Sequence, residues 1–191
     1  MVSPVQLESD RMNILVISCS LHPQSRSYIL ARQLIQDLHA LGASSTLYDL
    51  RDLDLPFCDA VSADKTEAAV AIIKAIAEAD AILLAVPIYN YDVNAAAKNL
   101  LELGMRAWNN KIVGFICAAG GRASYMSVMG LANSLMLDFR CLIVPRFVYA
   151  TKDDFGDDRL PTMHITSDVI KARLQELAAT TVRLTTALQQ N

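Results

Sequence analysis

The sequence lacks the glycine-rich motifs that most often bind nucleotides. It contains neither GxxxxGK followed by Ser or Thr, whose backbone cradles a nucleoside triphosphate, nor GxGxxG, which begins a dinucleotide-binding half-domain. Neither a P-loop nucleotidase nor an enzyme with a separate dinucleotide-binding domain is therefore predicted.

Metal-binding spacing is absent as well. The cysteines form no CxxC pair and the histidines are far apart, so neither a zinc site nor a histidine-based catalytic triad is predicted. Scattered free thiols fit a reducing compartment, and we expect a cytoplasmic protein. The residues concerned are Cys19, Cys58, Cys117, Cys141, His22, His39 and His164.

Long runs of positive charge or of apolar residues are also missing. Seventeen basic against 20 acidic residues give a formal net charge of −3 without a basic run, so nucleic acid is not expected as a partner. No apolar segment approaches the roughly 20 residues that span a bilayer, so no membrane contact is expected. The start, MVSPVQLESDR, lacks the pattern of a secretion signal and is predicted to be a flexible leader over residues 1–11.

What the sequence does contain is enough apolar material for one large core. A length of 191 residues fits a single domain, expected over residues 12–191, and 53% of the residues are hydrophobic. That fraction suits a sheet covered on both faces and a buried subunit contact. Self-association is therefore expected.

The hydrophobic pattern alternates between short apolar runs and helical periodicity, which predicts an α/β protein. Strands are expected over 12–18, 44–50, 81–86, 111–118 and 141–149, and helices over 28–41, 66–79, 94–105, 124–139 and 165–190. Five strands joined by helical crossovers favour a doubly wound parallel sheet in the order 2-1-3-4-5, within a three-layer α/β/α sandwich.

Such a sheet binds ligands at the carboxyl ends of its strands, near the switch between the first and third strands. Three loops should therefore converge there, at 18–27, 87–94 and 118–125. The acidic segment KDDFGDDR, at 152–159, is instead interpreted as a solvated loop.

The first loop, SCSLHPQSRS, indicates an anion site. A turn that opens a helix exposes unpaired N–H groups and the positive end of the helix dipole. Hydroxyl donors and charge are supplied by Ser20, Ser25, Ser27, Arg26 and His22. The alternative is that Ser25 simply caps the helix.

A second alternative makes Cys19 a thiolate nucleophile, as in low-molecular-weight protein tyrosine phosphatases. Those proteins carry Cys-x5-Arg-Ser after a strand, whereas the spacing here is Cys-x6-Arg. Their Asp-Pro general acid also has no counterpart, because no aspartate of this chain precedes a proline.

Taken together, four segments resemble the NAD(P)H-dependent FMN reductase family of flavodoxin-like flavoproteins, over roughly residues 12–148. They are CSLHPQSRS, LYDLRDLDLP, ADAILLAVPIYNYDVNAAAKNLLE and CAAGGRASY. The resemblance implies a flavodoxin-like fold, bound FMN, and NADPH or NADH as electron donor.

The resemblance also implies where FMN lies. The family's phosphate loop falls on Cys19, Ser20, Leu21, His22, Ser25 and Ser27, with Cys19 in place of the usual glycine and His22 in place of the usual arginine. Arg26 is a candidate substitute for that arginine. The flavin ring would lie against Pro87, Ile88, Tyr89, Asn90, Gly120, Gly121 and Arg122.

Each of these loops has a plainer interpretation. The second loop would be an ordinary turn with Asn94 as a helix cap. Gly120 and Gly121 would be a glycine pair that permits positive φ, with Arg122 a surface charge.

The reaction implied by the resemblance is hydride transfer from NAD(P)H to N5 of FMN, and then to a second small-molecule acceptor. That acceptor would be free flavin, a quinone, an azo compound or a metal oxyanion, and no catalytic side chain is expected. An alternative is a flavodoxin-type electron carrier. Family members are commonly homodimers or homotetramers, and Trp108, Tyr91 and Met105 are candidate subunit contacts.

Overall fold

The computed structural model describes residues 12–189, so the predicted leader lies outside the described residues. The strands are β1 Asn13–Ser18, β2 Ser44–Asp49, β3 Ala81–Tyr89, β4 Asp92–Val93, β5 Ile112–Ala118, β6 Leu142–Ile143, β7 Val148–Ala150, β8 Phe155–Gly156 and β9 His164–Ile165. The helices are α1 Arg26–Ala40, α2 Glu67–Glu78, α3 Ala95–Gly104, α4 Met129–Phe139 and α5 Asp168–Gln189.

The main sheet is parallel and has the predicted winding. Its order is β2-β1-β3-β5-β6, and β7 pairs with β5 further along the same edge. The fifth predicted strand is thus present as two pieces. Pro145 lies between them, where its missing N–H removes one ladder hydrogen bond.

The apolar strands form because both of their faces are buried. Leu15 and Ile17 of β1 pack into one core, with α2, α3 and α4, while Ile14 and Val16 pack into the other, with α1 and α5. A strand covered on both sides cannot alternate with polar residues, which explains the continuous run ILVI. The predicted three-layer arrangement is confirmed.

Several predicted boundaries are wrong, including the start of the last helix, which is Asp168 because Ile165 belongs to β9. The chain at Arg122–Val128 forms 3-10 turns, so α4 begins at Met129 and Ser124 does not cap it. The Ser124 hydroxyl instead lies 2.7 Å from the Tyr149 hydroxyl. The third strand also runs three residues beyond the predicted end, because β4 folds back and pairs with it.

The prediction of a solvated loop at 152–159 is also wrong. Phe155 and Gly156 pair with Ile165 and His164 in the antiparallel hairpin β8–β9. Phe155, Met163 and Ile165 are buried in the core beside α1 and α5. The hairpin is therefore anchored by apolar packing, and its charged turn projects from a fixed base.

Among residues 12–189, no helix combines the length and apolar character needed to cross a bilayer.

The variant Gly104→Ala tests the close packing between Gly104 of α3 and the buried Trp108 side chain. An added Cβ at Gly104 would lie 2.1 Å from Nε1 of Trp108, a side chain that is 1% exposed. We expect a loss of about 1–3 kcal/mol in the free energy of unfolding, measured by urea denaturation. The matched control is Gly130→Ala in α4, where an added Cβ meets nothing within 4 Å. The control should be stable to the same degree or more stable, and equal losses in both variants would contradict this account.

Candidate functional site

The three predicted loops converge on one cavity at the carboxyl ends of β1, β3 and β5. Its volume is about 440 Å³, within the usual range for small-molecule sites. It lies where the order of the sheet reverses, beside β1 and β3. The lining residues are Ser20, Arg26, Ser27, Pro87, Ile88, Tyr89, Asn90, Ala118, Ala119, Gly120 and Arg159.

One end of the cavity is rich in unpaired donors. The N–H groups of Ser25, Arg26 and Ser27 open α1, and none has a protein acceptor within the described residues. Ser27 is among the lining residues, and its hydroxyl is buried and has no hydrogen-bond partner in the same part of the chain. A buried donor without a partner costs free energy, so this end of the cavity suits an anionic ligand group.

Side chains from three other elements fix the carbonyl groups of this loop. The side-chain amide of Asn94 donates to the Cys19 carbonyl at 2.7 Å, and Arg51 Nη1 donates to the Pro23 carbonyl at 2.6 Å. Arg159 Nη1 donates to the Gln24 carbonyl at 2.5 Å. The loop conformation is thus held by the protein itself, without a ligand.

Two of the predicted residues have structural roles in the loop. Ser25 caps α1, because its hydroxyl accepts the Tyr28 N–H at 3.0 Å, as the capping alternative predicted. His22 Nδ1 accepts the Gln24 N–H at 3.0 Å. Neither side chain lines the cavity, so their predicted ligand contacts stay predictions.

Arg26 is already paired. Its Nε donates to Asp158 Oδ1 at 2.7 Å, and its Nη2 lies 2.5 Å from Oδ2. The Arg26 guanidinium holds the pKa of the Asp158 carboxyl below its usual range. The expected substitute cation is therefore largely neutralised by the hairpin turn.

Sequence reasoning missed Arg159. It is half-buried and lines the cavity. Burial lowers the pKa of its guanidinium, and the nearby charge of Arg26 lowers it further. The only signal in the sequence was the charge of the segment KDDFGDDR, which also reads as a solvated loop.

The second loop is a tight hairpin that continues β3. Ile88 pairs with Val93 and Tyr89 with Asp92, and the turn residues Asn90 and Tyr91 have φ of 52° and 63°. Two residues at positive φ between paired strands are typical of a type I′ turn. Asn94 does precede α3, but its side chain makes no capping bond and binds the first loop instead.

The third loop leaves open space beside the cavity. Neither Gly120 nor Gly121 has a positive φ, so the pair does not adopt the conformation of the plainer interpretation, although Arg122 is exposed as that interpretation expected. An added Cβ on either glycine would meet no protein atom within 4 Å. Arg122 is exposed and lines a neighbouring cavity of about 470 Å³, together with Tyr125 and Arg173.

The thiol of Cys19 is unsuited to act as a nucleophile. It is fully buried, and its Sγ lies 3.8 Å from the Ile17 carbonyl. Burial strongly raises the pKa of the thiol, and the negative charge of Asp49 raises it further. Because the thiolate is the reactive form, the phosphatase alternative is not supported.

A larger surface groove, of about 820 Å³, lies between α3 and α4 and includes Lys98, Leu137 and Arg140. It shares no residue with the cavity at the strand ends and contains none of the predicted site residues. No cluster of three potential metal ligands occurs in the part of the chain that the structure describes.

Comparison with known proteins agrees with this geometry. The family model for NADPH-dependent FMN reductase matches residues 12–155, about three quarters of the chain. An NADH-dependent FMN reductase of Pseudomonas fluorescens, SfnF, is 29% identical over 168 residues, which are 86% of this chain and 87% of the relative. An NAD(P)H-dependent FAD/FMN reductase of Geobacillus thermodenitrificans is 26% identical over 134 residues, 69% of this chain and 70% of the relative.

The fold also matches a solved flavoenzyme. FerB of Paracoccus denitrificans, an NAD(P)H:(acceptor) oxidoreductase, superimposes with a TM-score of 0.74 at 20% identity. The match covers 92% of this chain and 98% of that one. At this identity the comparison shows the flavodoxin-like fold alone.

Substitution of the two serines at the start of α1 should affect the free energy of unfolding of the ligand-free protein differently. Ser25→Ala removes a helix cap and should lower the free energy of unfolding by about 1 kcal/mol. Ser27→Ala removes a buried hydroxyl without a partner and should leave stability unchanged or raise it. Both are measured by urea denaturation, and an equal loss in Ser27→Ala would show that its hydroxyl is already satisfied.

The Arg26–Asp158 pair predicts a pH dependence. A carboxyl group whose pKa is lower in the folded state stabilises the protein above its unfolded pKa, and this contribution is lost as pH falls through the folded pKa. Asp158→Asn should therefore cost about 1 kcal/mol at pH 7, and the difference from wild type should shrink below about pH 4. Asp157→Asn is the control, and a pH-independent difference for Asp158→Asn would contradict the account.

Proposed function

Because the chain belongs to the NADPH-dependent FMN reductase family, we propose that it transfers hydride from NADPH or NADH through bound FMN to a second small-molecule acceptor. One observation carries the proposal: a helix start with unpaired donors and two further loops line the same cavity. FMN has the matching shape, with a phosphate at one end and a flat ring at the other.

The donors of the first loop fit the phosphate. The N–H groups of residues 25–27 and the hydroxyls of Ser20 and Ser27 would hold its oxygens. The buried Ser27 hydroxyl has no partner in the described residues, which favours a ligand that accepts from it. The α1 dipole favours the negative charge of the phosphate at the same point.

The second and third loops fit the ring. Pro87 has no N–H and its carbonyl already accepts the Asn94 N–H at 3.2 Å, so it would offer apolar surface rather than a hydrogen bond, and Ile88 is a buried apolar side chain. Tyr89 is 46% exposed at the cavity and presents an aromatic surface beside the proposed ring. The open space beside Gly120 lets backbone N–H groups approach the ring closely, where they would stabilise negative charge.

Bound FMN would supply the chemistry, because its N5 accepts hydride and passes it on. The residues that line the cavity include no Asp, Glu, His, Cys or Lys. The chain therefore contributes position and positive charge rather than a side-chain nucleophile or base. The nicotinamide would stack directly on the flavin.

The acceptor is proposed only by chemical class. Free flavin, quinones, azo compounds and metal oxyanions all accept electrons from a reduced flavin with an accessible ring. The exposed rim formed by Tyr89, Asn90 and Gly120 is open both to flat acceptors and to small oxyanions.

Self-association, as a homodimer or homotetramer, remains part of the proposal. Of the three predicted subunit contacts, Trp108 is 1% exposed and packs in the core, so it is unavailable. Tyr91 and Met105 are exposed and fit the proposal.

The function is tested by mixing the purified protein with FMN, adding NADPH or NADH anaerobically, and following the loss of flavin absorbance. We expect bleaching of FMN in the presence of the protein and reoxidation when an acceptor such as a quinone is added. A no-protein reaction is the control, because NAD(P)H alone reduces flavin slowly.

Two results would contradict the reductase. Failure to bind FMN would remove the cofactor. FMN binding with a persistent semiquinone and negligible NAD(P)H oxidation would favour the electron carrier.

A further inference from the structure

The cavity holds more positive charge than its protein partners neutralise. Arg26 and Arg159 both line it, and the carboxylate of Asp158 pairs with Arg26. Arg159 Nη1 donates only to a neutral carbonyl, that of Gln24. Asp158 also lies close enough to act on Arg159, so the two guanidinium groups share one carboxylate beside a helix start that already favours an anion.

The position of Arg159 is fixed by the packing of the hairpin that carries it. It lies in the turn of the β8–β9 hairpin, which is anchored by the buried side chains of Phe155, Met163 and Ile165. The Arg159 N–H donates to Met163 Sδ at 3.4 Å, and its φ is 65°. A non-glycine residue in the left-handed region is unfavourable, so packing of the hairpin holds this conformation in place.

The side chain also lies next to the unpaired donors. Gln24, whose carbonyl Arg159 binds, directly precedes Ser25, Arg26 and Ser27, the residues with free N–H groups. A guanidinium has five N–H donors in a planar fork, so a bond to one carbonyl leaves donors for phosphate oxygens.

We propose that Arg159 is a specificity-determining residue that supplies the cationic contact to the flavin phosphate, and that Arg26 instead fastens the hairpin through Asp158. This inference rests on the proposed function. In this assignment the hairpin, which extends past the family match at residue 155, supplies the positive charge near the phosphate. In the first loop, His22 stands where the resembled family usually has arginine.

The test is flavin affinity of Arg159→Met, measured with FMN and with riboflavin, which has the same ring without the phosphate. Loss of a charge-assisted hydrogen bond should weaken FMN binding about ten- to a hundredfold and leave riboflavin binding unchanged. Arg159→Lys keeps the charge without the fork and should lie between wild type and Arg159→Met.

Arg146→Met is the matched control. Arg146 also has a positive φ, of 62°, and is ion-paired, with Glu176, but it lies outside the cavity. FMN and riboflavin binding should both match wild type. Thermal unfolding of each ligand-free variant identifies any loss of folding. If Arg159→Met does not fold, the comparison of FMN and riboflavin binding is made with Arg159→Lys.

Three results would overturn the inference. Unchanged FMN affinity in Arg159→Met would show that the phosphate does not use this side chain. Equal weakening of FMN and riboflavin would show that the substitution disturbs the whole cavity and not a phosphate contact. A wild-type protein that binds neither flavin would remove the proposed function itself, whereas the first two results leave it intact.

Discussion

The site depends on N–H groups that the first helix cannot satisfy. Every α-helix leaves its first N–H groups without an intrahelical acceptor, and here Ser25 caps one of them by accepting from Tyr28. The N–H groups of residues 25–27 have no such acceptor in residues 12–189, while Asn94, Arg51 and Arg159 hold the carbonyl groups of the same loop. The conformational entropy of ordering the loop is thus lost during folding. A phosphate would then bind to donors that are already in position.

The same loop explains why the hairpin matters. An anion held only by neutral donors would be weakly selected against water, whereas a nearby cation strengthens each bond. Arg26 is the cation closest in sequence, but Asp158 takes its bidentate contact. The hairpin thus removes one charge from the cavity with Asp158 and brings another to it with Arg159.

The sequence predicts those features of the fold that depend on the pattern of neighbouring residues. The run ILVI predicts a doubly covered strand, the Ser25 position predicts a capped helix, and the alternation of elements predicts the winding. It does not predict the partner of Arg26, because Asp158 is 132 residues away and no local pattern records the pairing. Ser124 fails for a related reason, since its hydroxyl finds Tyr149 across the fold rather than a helix N–H. The hairpin is missed because its charges resemble a solvated loop, while only three apolar residues anchor it.

The lining residues of the cavity differ in burial, and this difference would orient the proposed ligand. Ser20 and Ser27 are almost fully buried, whereas Tyr89 in the same lining is 46% exposed. A charged group is tolerated beside the buried serines only where donors and positive charge replace its water shell, as the α1 start and Arg159 would do in the proposed complex. A flat ring has no such requirement and would occupy the rim, where a second reactant can stack on it from solvent. Under the proposed function, an open rim of this kind would select an acceptor by access to the ring and not by specific hydrogen bonds, so the proposal names a class of acceptor.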